Sequence, residues 1–216
     1  MIDAKRWYQE TKVENTLKSL KANGFEAFYE PTKEKAVSRL LELIPTDATV
    51  GLGGSVTLRE MNIPDILRER GNKVADHWVA RQKGASFEDV LKIRRQQINS
   101  DVFITSTNAL TETGELINID GVGQRVAAMI FGPNKVYVVA GINKIVRDVN
   151  EGLWRASNVA SPINAKRLNR NTPCVKSGTC SDCRTEDRIC RATTIIHRKL
   201  RCTELAVLIV GEELGY

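Results

Sequence analysis

Four of the chain's five cysteines, Cys174, Cys180, Cys183 and Cys190, fall within seventeen residues with the spacing C-x5-C-x2-C-x6-C. Almost nothing apolar separates them, so this loop has no hydrophobic core of its own. Thiolates are soft ligands that close a tetrahedral zinc site or hold the irons of an iron–sulfur cluster, and the binding energy of the metal can replace the missing core. A redox thiol pair and inert buried cysteines are the competing readings, and clustering favours metal. Zinc ribbons usually pair two C-x2-C knuckles; only Cys180 and Cys183 form one here, with the uneven arms that a [4Fe-4S] cluster tolerates. Cys202 stands apart as a spare thiol.

A second set of residues suits a small anion. Gly51, Gly53 and Gly54 let backbone approach an anion without Cβ interference, and Ser55 and Thr57 add hydroxyls, although the string is neither G-x-G-x-x-G nor a P-loop. A tight strand-to-helix connection is the plainer reading. Thr107 and Asn108 follow one expected strand, and Asp120 and Arg125 follow the next, so both sets can gather at one edge of a sheet. Asp120 is the candidate for acid–base work, Asn108 stands beside it, and Arg125 is the candidate clamp for an anion. Lys144, just past a further strand, can neutralise a carboxylate or phosphate. His77 and His197 read as packed or surface residues, with His197 close enough in sequence to the cysteines to be a spare ligand.

These positions need a scaffold, and the periodicity supplies one. Val13, Leu17 and Leu20 recur at helical spacing in a first helix running from Ile2 toward Gly24, and Thr32 caps a second. Strands are predicted at Phe25 to Tyr29, Ala48 to Val50, Val74 to Trp78, Asp101 to Ser106, Glu115 to Ile119, Val136 to Gly141, Ala192 to His197 and Leu205 to Gly211. Helices are predicted after Ser55, after Ser86 and after Asp148, the last interrupted or restarted at Pro162. Alternation of this kind argues for an α/β fold, a mostly parallel sheet with helices on both faces. Residues 1–46 read as an N-terminal helical segment, 47–216 as the α/β domain, and 171–191 as its cysteine-rich metal loop.

Composition narrows the function classes. At 216 residues, 42% hydrophobic and 27% charged, the chain can bury a sizeable core, which excludes disordered and fibrous classes. The net charge of +6 gathers between Lys166 and Arg201, around the cysteines. Without a nucleic-acid motif or interleaved aromatics, that excess suits an anionic thiolate centre or a small anionic substrate better than nucleic acid. No apolar run is long enough for a membrane span and no leader is evident, so a cytoplasmic, reducing location is expected, where clustered cysteines mean metal more than disulfides.

The strings Gly53-Gly-Ser-Val-Thr57, Thr107-Asn-Ala-Leu-Thr111 and Asn118-Ile-Asp-Gly121, with Gly123, Arg125, Val126 and Ala127, resemble the LUD-domain family, the lactate-utilisation protein C group. Phe131-Gly-Pro133, Val139 to Lys144, Asn158 to Ala165, Thr172-Pro-Cys174 and Gly211 to Tyr216 resemble a cysteine-bearing branch of it, so the likeness spans nearly the whole chain. It implies a Rossmann-like sheet similar to the ribose-phosphate isomerase and CoA-transferase folds. It also implies a place in an oxidoreductase system, beside iron–sulfur partner proteins, that oxidises lactate to pyruvate. Many members lack the cysteine loop, so a related redox function stands beside lactate oxidation. The family's tie to electron transfer favours a [4Fe-4S] cluster over zinc. The alternative is a small-molecule enzyme of the isomerase, ligase or acyl-transfer kind with a structural zinc site.

Overall fold

The computed structural model describes residues 3–216; Ile2, where the first helix was expected to begin, lies outside them. The Asp3 carboxylate accepts from the N–H groups of Lys5 and Arg6 and so opens α1 (Ala4–Ala22), which ends before Gly24 at φ +86°. β1 (Glu26–Glu30), α2 (Lys33–Leu43), β2 (Thr49–Leu52) and α3 (Val56–Glu60) follow, the two helices capped by the hydroxyls of Thr32 and Ser55. A short α4 (Ile63–Glu69), not expected from the pattern, leads into β3 (Lys73–Ala75). The strand predicted to reach Trp78 stops at Ala75, because the Asp76 carboxylate accepts from the Trp78 N–H and opens α5 (His77–Gln82). His77 therefore begins a helix rather than ending a strand.

Ser86 caps α6 (Phe87–Ile98) as its spacing predicts, and β4 (Val102–Thr105) is buried throughout. β5 (Ala109–Thr111) and β6 (Leu116–Asp120) pair antiparallel, then come α7 (Gln124–Ile130), β7 (Lys135–Gly141) and, after a 3-10 turn at Ile142–Lys144, β8 (Ile145–Val146). α8 (Val149–Arg155) passes through a π turn at Ala156–Ala160 straight into α9 (Ser161–Arg167). Pro162 breaks nothing there: it sits in the first turn of α9, where a missing N–H is cheap. A one-turn α10 (Pro173–Ser177), the cysteine loop, β9 (Ala192–Ile196) and β10 (Glu204–Val210) complete the chain.

The main sheet runs β1-β10-β7-β4-β2-β3 with every neighbouring pair parallel. Its central strands are apolar on both faces because helices cover both. Ile104, Val139 and Leu208 join Leu40, Val50 and Leu58 on one side, while the alternate residues Phe103, Val138 and Val207 join Leu20 and Met129 on the other. The expected α/β architecture is thus observed, with one addition. A smaller mixed sheet, β8-β5-β6-β9, carries the strand that leaves the cysteine loop.

One expected boundary has no physical counterpart. Residues 3–46 do not stand ahead of the domain, since β1 pairs with β10 along five positions from Glu26↔Ala206 to Glu30↔Val210, and Leu20 is fully buried in the common core. None of the helices among the described residues is long and apolar enough to cross a membrane.

Candidate functional site

The parallel sheet brings the ends of β2, β3, β4, β7 and β10 to one edge, and chain order reverses between β2 and β4. In open α/β sheets that crevice is where ligands bind. A cavity of about 310 Å³ lies there, lined by Gly54, Ser55 and Thr57 after β2, His77 and Trp78 after β3, Thr107 and Asn108 after β4, Asp120 to Arg125 after β6, Lys144 after β7, and Tyr216. Gly53 and Gly54 earn their place by packing: a Cβ on Gly53 would sit 2.5 Å from Thr105 Oγ1, and one on Gly54 2.9 Å from Trp78 Nε1. The Ser55 hydroxyl is occupied in capping Leu58 N–H.

Lys144 is only 2% exposed, yet its Nζ meets no carboxylate and donates instead to Thr57 Oγ1 and Ser106 Oγ, each at 2.7 Å. Burial, reinforced by Arg155 and Arg125 and only partly opposed by Glu60, brings its pKa down to about 7. The structure therefore pays to hold an amine beside an empty volume, which is the behaviour of a binding or reacting group more than of a surface lysine.

Arg125 has a different role from the anion clamp expected of it. All five of its N–H groups are used: Nε on Asp120 at 3.1 Å, Nη1 on Asn118 Oδ1 and Ser106 O, Nη2 on Asn108 Oδ1 and Ile119 O. Burial pushes the Asp120 carboxyl up, but the Arg125 charge and the N–H groups of Gly123 and Val122 outweigh it and hold the group below the usual carboxylate range. A saturated, ionised Asp120 is a weak base. The network fixes the loops after β4 and β6 relative to each other. Arg125→Ala is expected to lower stability by roughly 3–5 kcal/mol, since it strands a buried carboxylate and two amide oxygens; urea denaturation at pH 7 measures it, and Arg125→Lys recovers only part.

His77 was read from the sequence as a packed or surface residue, and Arg94 was not singled out. Gln97 Nε2 donates to both Ala75 O (3.0 Å) and His77 Nδ1 (3.1 Å), which leaves the imidazole proton on Nε2, the nitrogen nearer Gly54. Burial and the Arg94 charge bring the His77 pKa down to about 4, so the ring is neutral at pH 7. At the rim, Trp78 lies between Arg59 and Arg167, at 4.9 and 4.5 Å from the ring centroid, and Arg167 donates to Tyr216 Oη at 2.7 Å.

The four clustered cysteines border one small space. Cys174, Cys180, Cys183 and Cys190 line a second cavity of about 30 Å³ with Thr172, Ser161 and Arg188. Hydrogen-bonding groups meet three of the sulfurs: Thr172 Oγ1 lies 3.2 Å from Cys174, the Asp182 N 3.4 Å from Cys180 and Thr185 Oγ1 3.6 Å from Cys183; the Ser161 hydroxyl donates to Ala156 O at 2.7 Å, so toward Cys190 it can only accept. Burial raises the Cys190 pKa; Cys180 and Cys174 add to it while Arg188 opposes it. Among the described residues no three His, Cys, Asp or Glu side chains are grouped to hold one metal ion. His197 is exposed beyond β9 and lines neither cavity.

Arg188 replaces the core that this loop lacks, donating to Cys183 O at 2.5 Å and Cys190 O at 2.6 Å and pairing with Asp182 at 2.7 Å. The loop is fastened to the larger site as well. Arg191 N–H donates to Asp120 O at 2.9 Å, and Gly121 leaves room for Ile189 O, which a Cβ would meet at 2.6 Å. Ser161, Arg188 and Ile189 consequently belong to the walls of both cavities.

The LUD domain profile matches residues 13–210, a span that holds both cavities except for Tyr216. The chain belongs to the LUD domain family. That family is associated with lactate utilisation. Among solved structures, a DUF162 family protein from Deinococcus radiodurans is similar to this LUD domain at 15% identity, over 95% of this chain and 98% of that one, with a TM-score of 0.49. None of the curated proteins matches it. Of the residues singled out by sequence, Gly54, Ser55, Thr57, Thr107, Asn108, Asp120, Arg125 and Lys144 share the larger cavity of this LUD domain, and Gly53 supports it from behind.

Proposed function

We propose that this LUD domain is a redox component in which Cys174, Cys180, Cys183 and Cys190 hold a [4Fe-4S] cluster beside a cationic pocket for a small hydroxy or keto acid such as lactate or pyruvate. The observation that carries the reading is the wall common to the two cavities, formed by Ser161, Arg188 and Ile189. A metal site placed there only to clip the loop would have no need to face a ligand pocket. The four thiols supply the donor set of a cluster, but the space of about 30 Å³ between them is that of one water-sized group, so the loop must widen to seat the eight-atom core.

A cluster bound there would supply one-electron transfer to an oxidised partner protein, the destination required for the two electrons that leave a hydroxy acid on oxidation. The chain's own residues hold the acid. Lys144 offers its carboxylate a buried ammonium, while the saturated Asp120–Arg125 network keeps the surrounding loops rigid. Protein purified without oxygen is expected to be brown, with about four irons and four sulfides per chain, and its visible spectrum is expected to change when lactate or pyruvate is added. Colourless protein carrying stoichiometric zinc would overturn the cluster and favour a small-molecule enzyme with a structural metal.

A further inference from the structure

We propose that the larger cavity takes an acid with two oxyanion groups, one seated on Lys144 and the other on Arg94 with Gln124. This rests on the reading of that cavity as the acid-binding site and does not depend on which metal the thiols hold.

Arg94 is 8% exposed and Gln124 9%, both line the cavity, and the Nε of Arg94 and the Nε2 of Gln124 are buried donors without an acceptor. Buried polar groups in folded proteins are nearly always hydrogen-bonded, so orphaned donors on residues that line one volume, with Arg170 Nε a third, mark an acceptor that arrives from outside. The carboxylate acting on Arg94 is Asp120, and its oxygens already accept from Arg125, Val122 and Gly123. Arg81 adds positive charge to the same place, and His77 beside it is neutral. An oxyanion satisfies this corner.

Lys144 defines a separate subsite. Its Nζ is held by Thr57 and Ser106, with Arg155, Arg125 and Glu60 acting on its charge, whereas Arg81 and Asp120 act on that of Arg94. A monoanion such as lactate can answer one of them and leaves the second uncompensated, a costly arrangement for a buried charge. Size points the same way. The cavity of about 310 Å³ has room for roughly ten water-sized groups, and lactate would leave about half of it to solvent. A short dicarboxylate or phosphorylated acid matches the space and carries a charge for each cation.

Calorimetry on anaerobically purified protein at pH 7 and fixed ionic strength tests this with lactate, malate and 3-phosphoglycerate. Malate or 3-phosphoglycerate is expected to bind at least about tenfold tighter than lactate, one charge-assisted contact being sufficient for that ratio. Whichever of the two is tighter identifies a carboxylate or a phosphate as the group held by Arg94. Arg94→Gln, and separately Gln124→Leu, are expected to remove most of that preference, with circular dichroism establishing that each variant is folded. Equal affinity for the three acids, or a preference that survives in whichever variant folds, overturns the two-anion ligand while leaving an acid site in place. Failure of all three to bind overturns both this inference and the acid-binding reading beneath it.

Discussion

Cys183→Ser is expected to lose nearly all of the iron found in the parent protein and to free the other three clustered thiols for alkylation. Cys183 belongs to the tight C-x2-C pair and shares its cavity with Cys174, Cys180 and Cys190, so its loss opens the coordination shell at the centre of the motif. The stretch from Cys174 to Cys190 contributes no fully buried apolar side chain to the core; Arg188 orders it, and the proposed cluster would add to that. Hydrogen exchange across residues 172–191 is therefore expected to quicken by a factor of about ten or more, while strands β4, β7 and β10 stay protected. Cys202→Ser serves as the comparison, because Cys202 is exposed and outside the cavity. Stoichiometric iron in the Cys183→Ser protein would remove the cluster from the account.

Lys144→Met is expected to separate stability from binding. The folded protein holds Lys144 at about 7 against an ordinary value of 10.5. Between those pH values the unfolded chain keeps a proton that the folded chain has released, so the parent gains stability as pH rises through that window and is at its weakest below pH 7. Methionine removes the charge and its pH dependence at similar volume. At pH 6 the variant is expected to be more stable by on the order of 1–3 kcal/mol after the two hydroxyl contacts are lost, and the advantage is expected to shrink toward pH 10. Thermal unfolding across pH 6 to 10 reads this directly, at about 2–4 °C per kcal/mol for a chain of this size. Binding of malate or 3-phosphoglycerate should weaken by about a hundredfold. A Lys144→Met protein that is less stable at pH 6 and still binds either acid would show that the amine is structural.

Much of this arrangement was legible in the residues. The cysteine spacing, the glycine turn at Gly53-Gly54 and the polar strings after β4, β6 and β7 pointed to the two sites because turns and ligand groups are local features. What sequence could not show was who answers whom. Arg125 looked free, since its five acceptors come from Ser106, Asn108, Asn118, Ile119 and Asp120, which only the fold assembles. Arg94 looked like solvated surface beside Arg95, although a signal was present: Val90, Arg94 and Gln97 fall at i, i+4 and i+7 and form the buried stripe of α6. Polar residues on such a stripe mark a buried site. His77 escaped for another reason, as β-like Val74 and Ala75 run into an Asp76 cap that turns the chain into helix. The second sheet was hidden by strands of two and three residues, too short for alternation to register.

The wall made by Ser161, Arg188 and Ile189 sets an order of events. Under the proposed cluster, Arg188 and Ile189 sit on a stretch that loading would shape, so a newly synthesised, unloaded chain would have an unfinished receptacle for its acid. Loading would then come first, and a copy stripped of its cluster would hold its acid poorly.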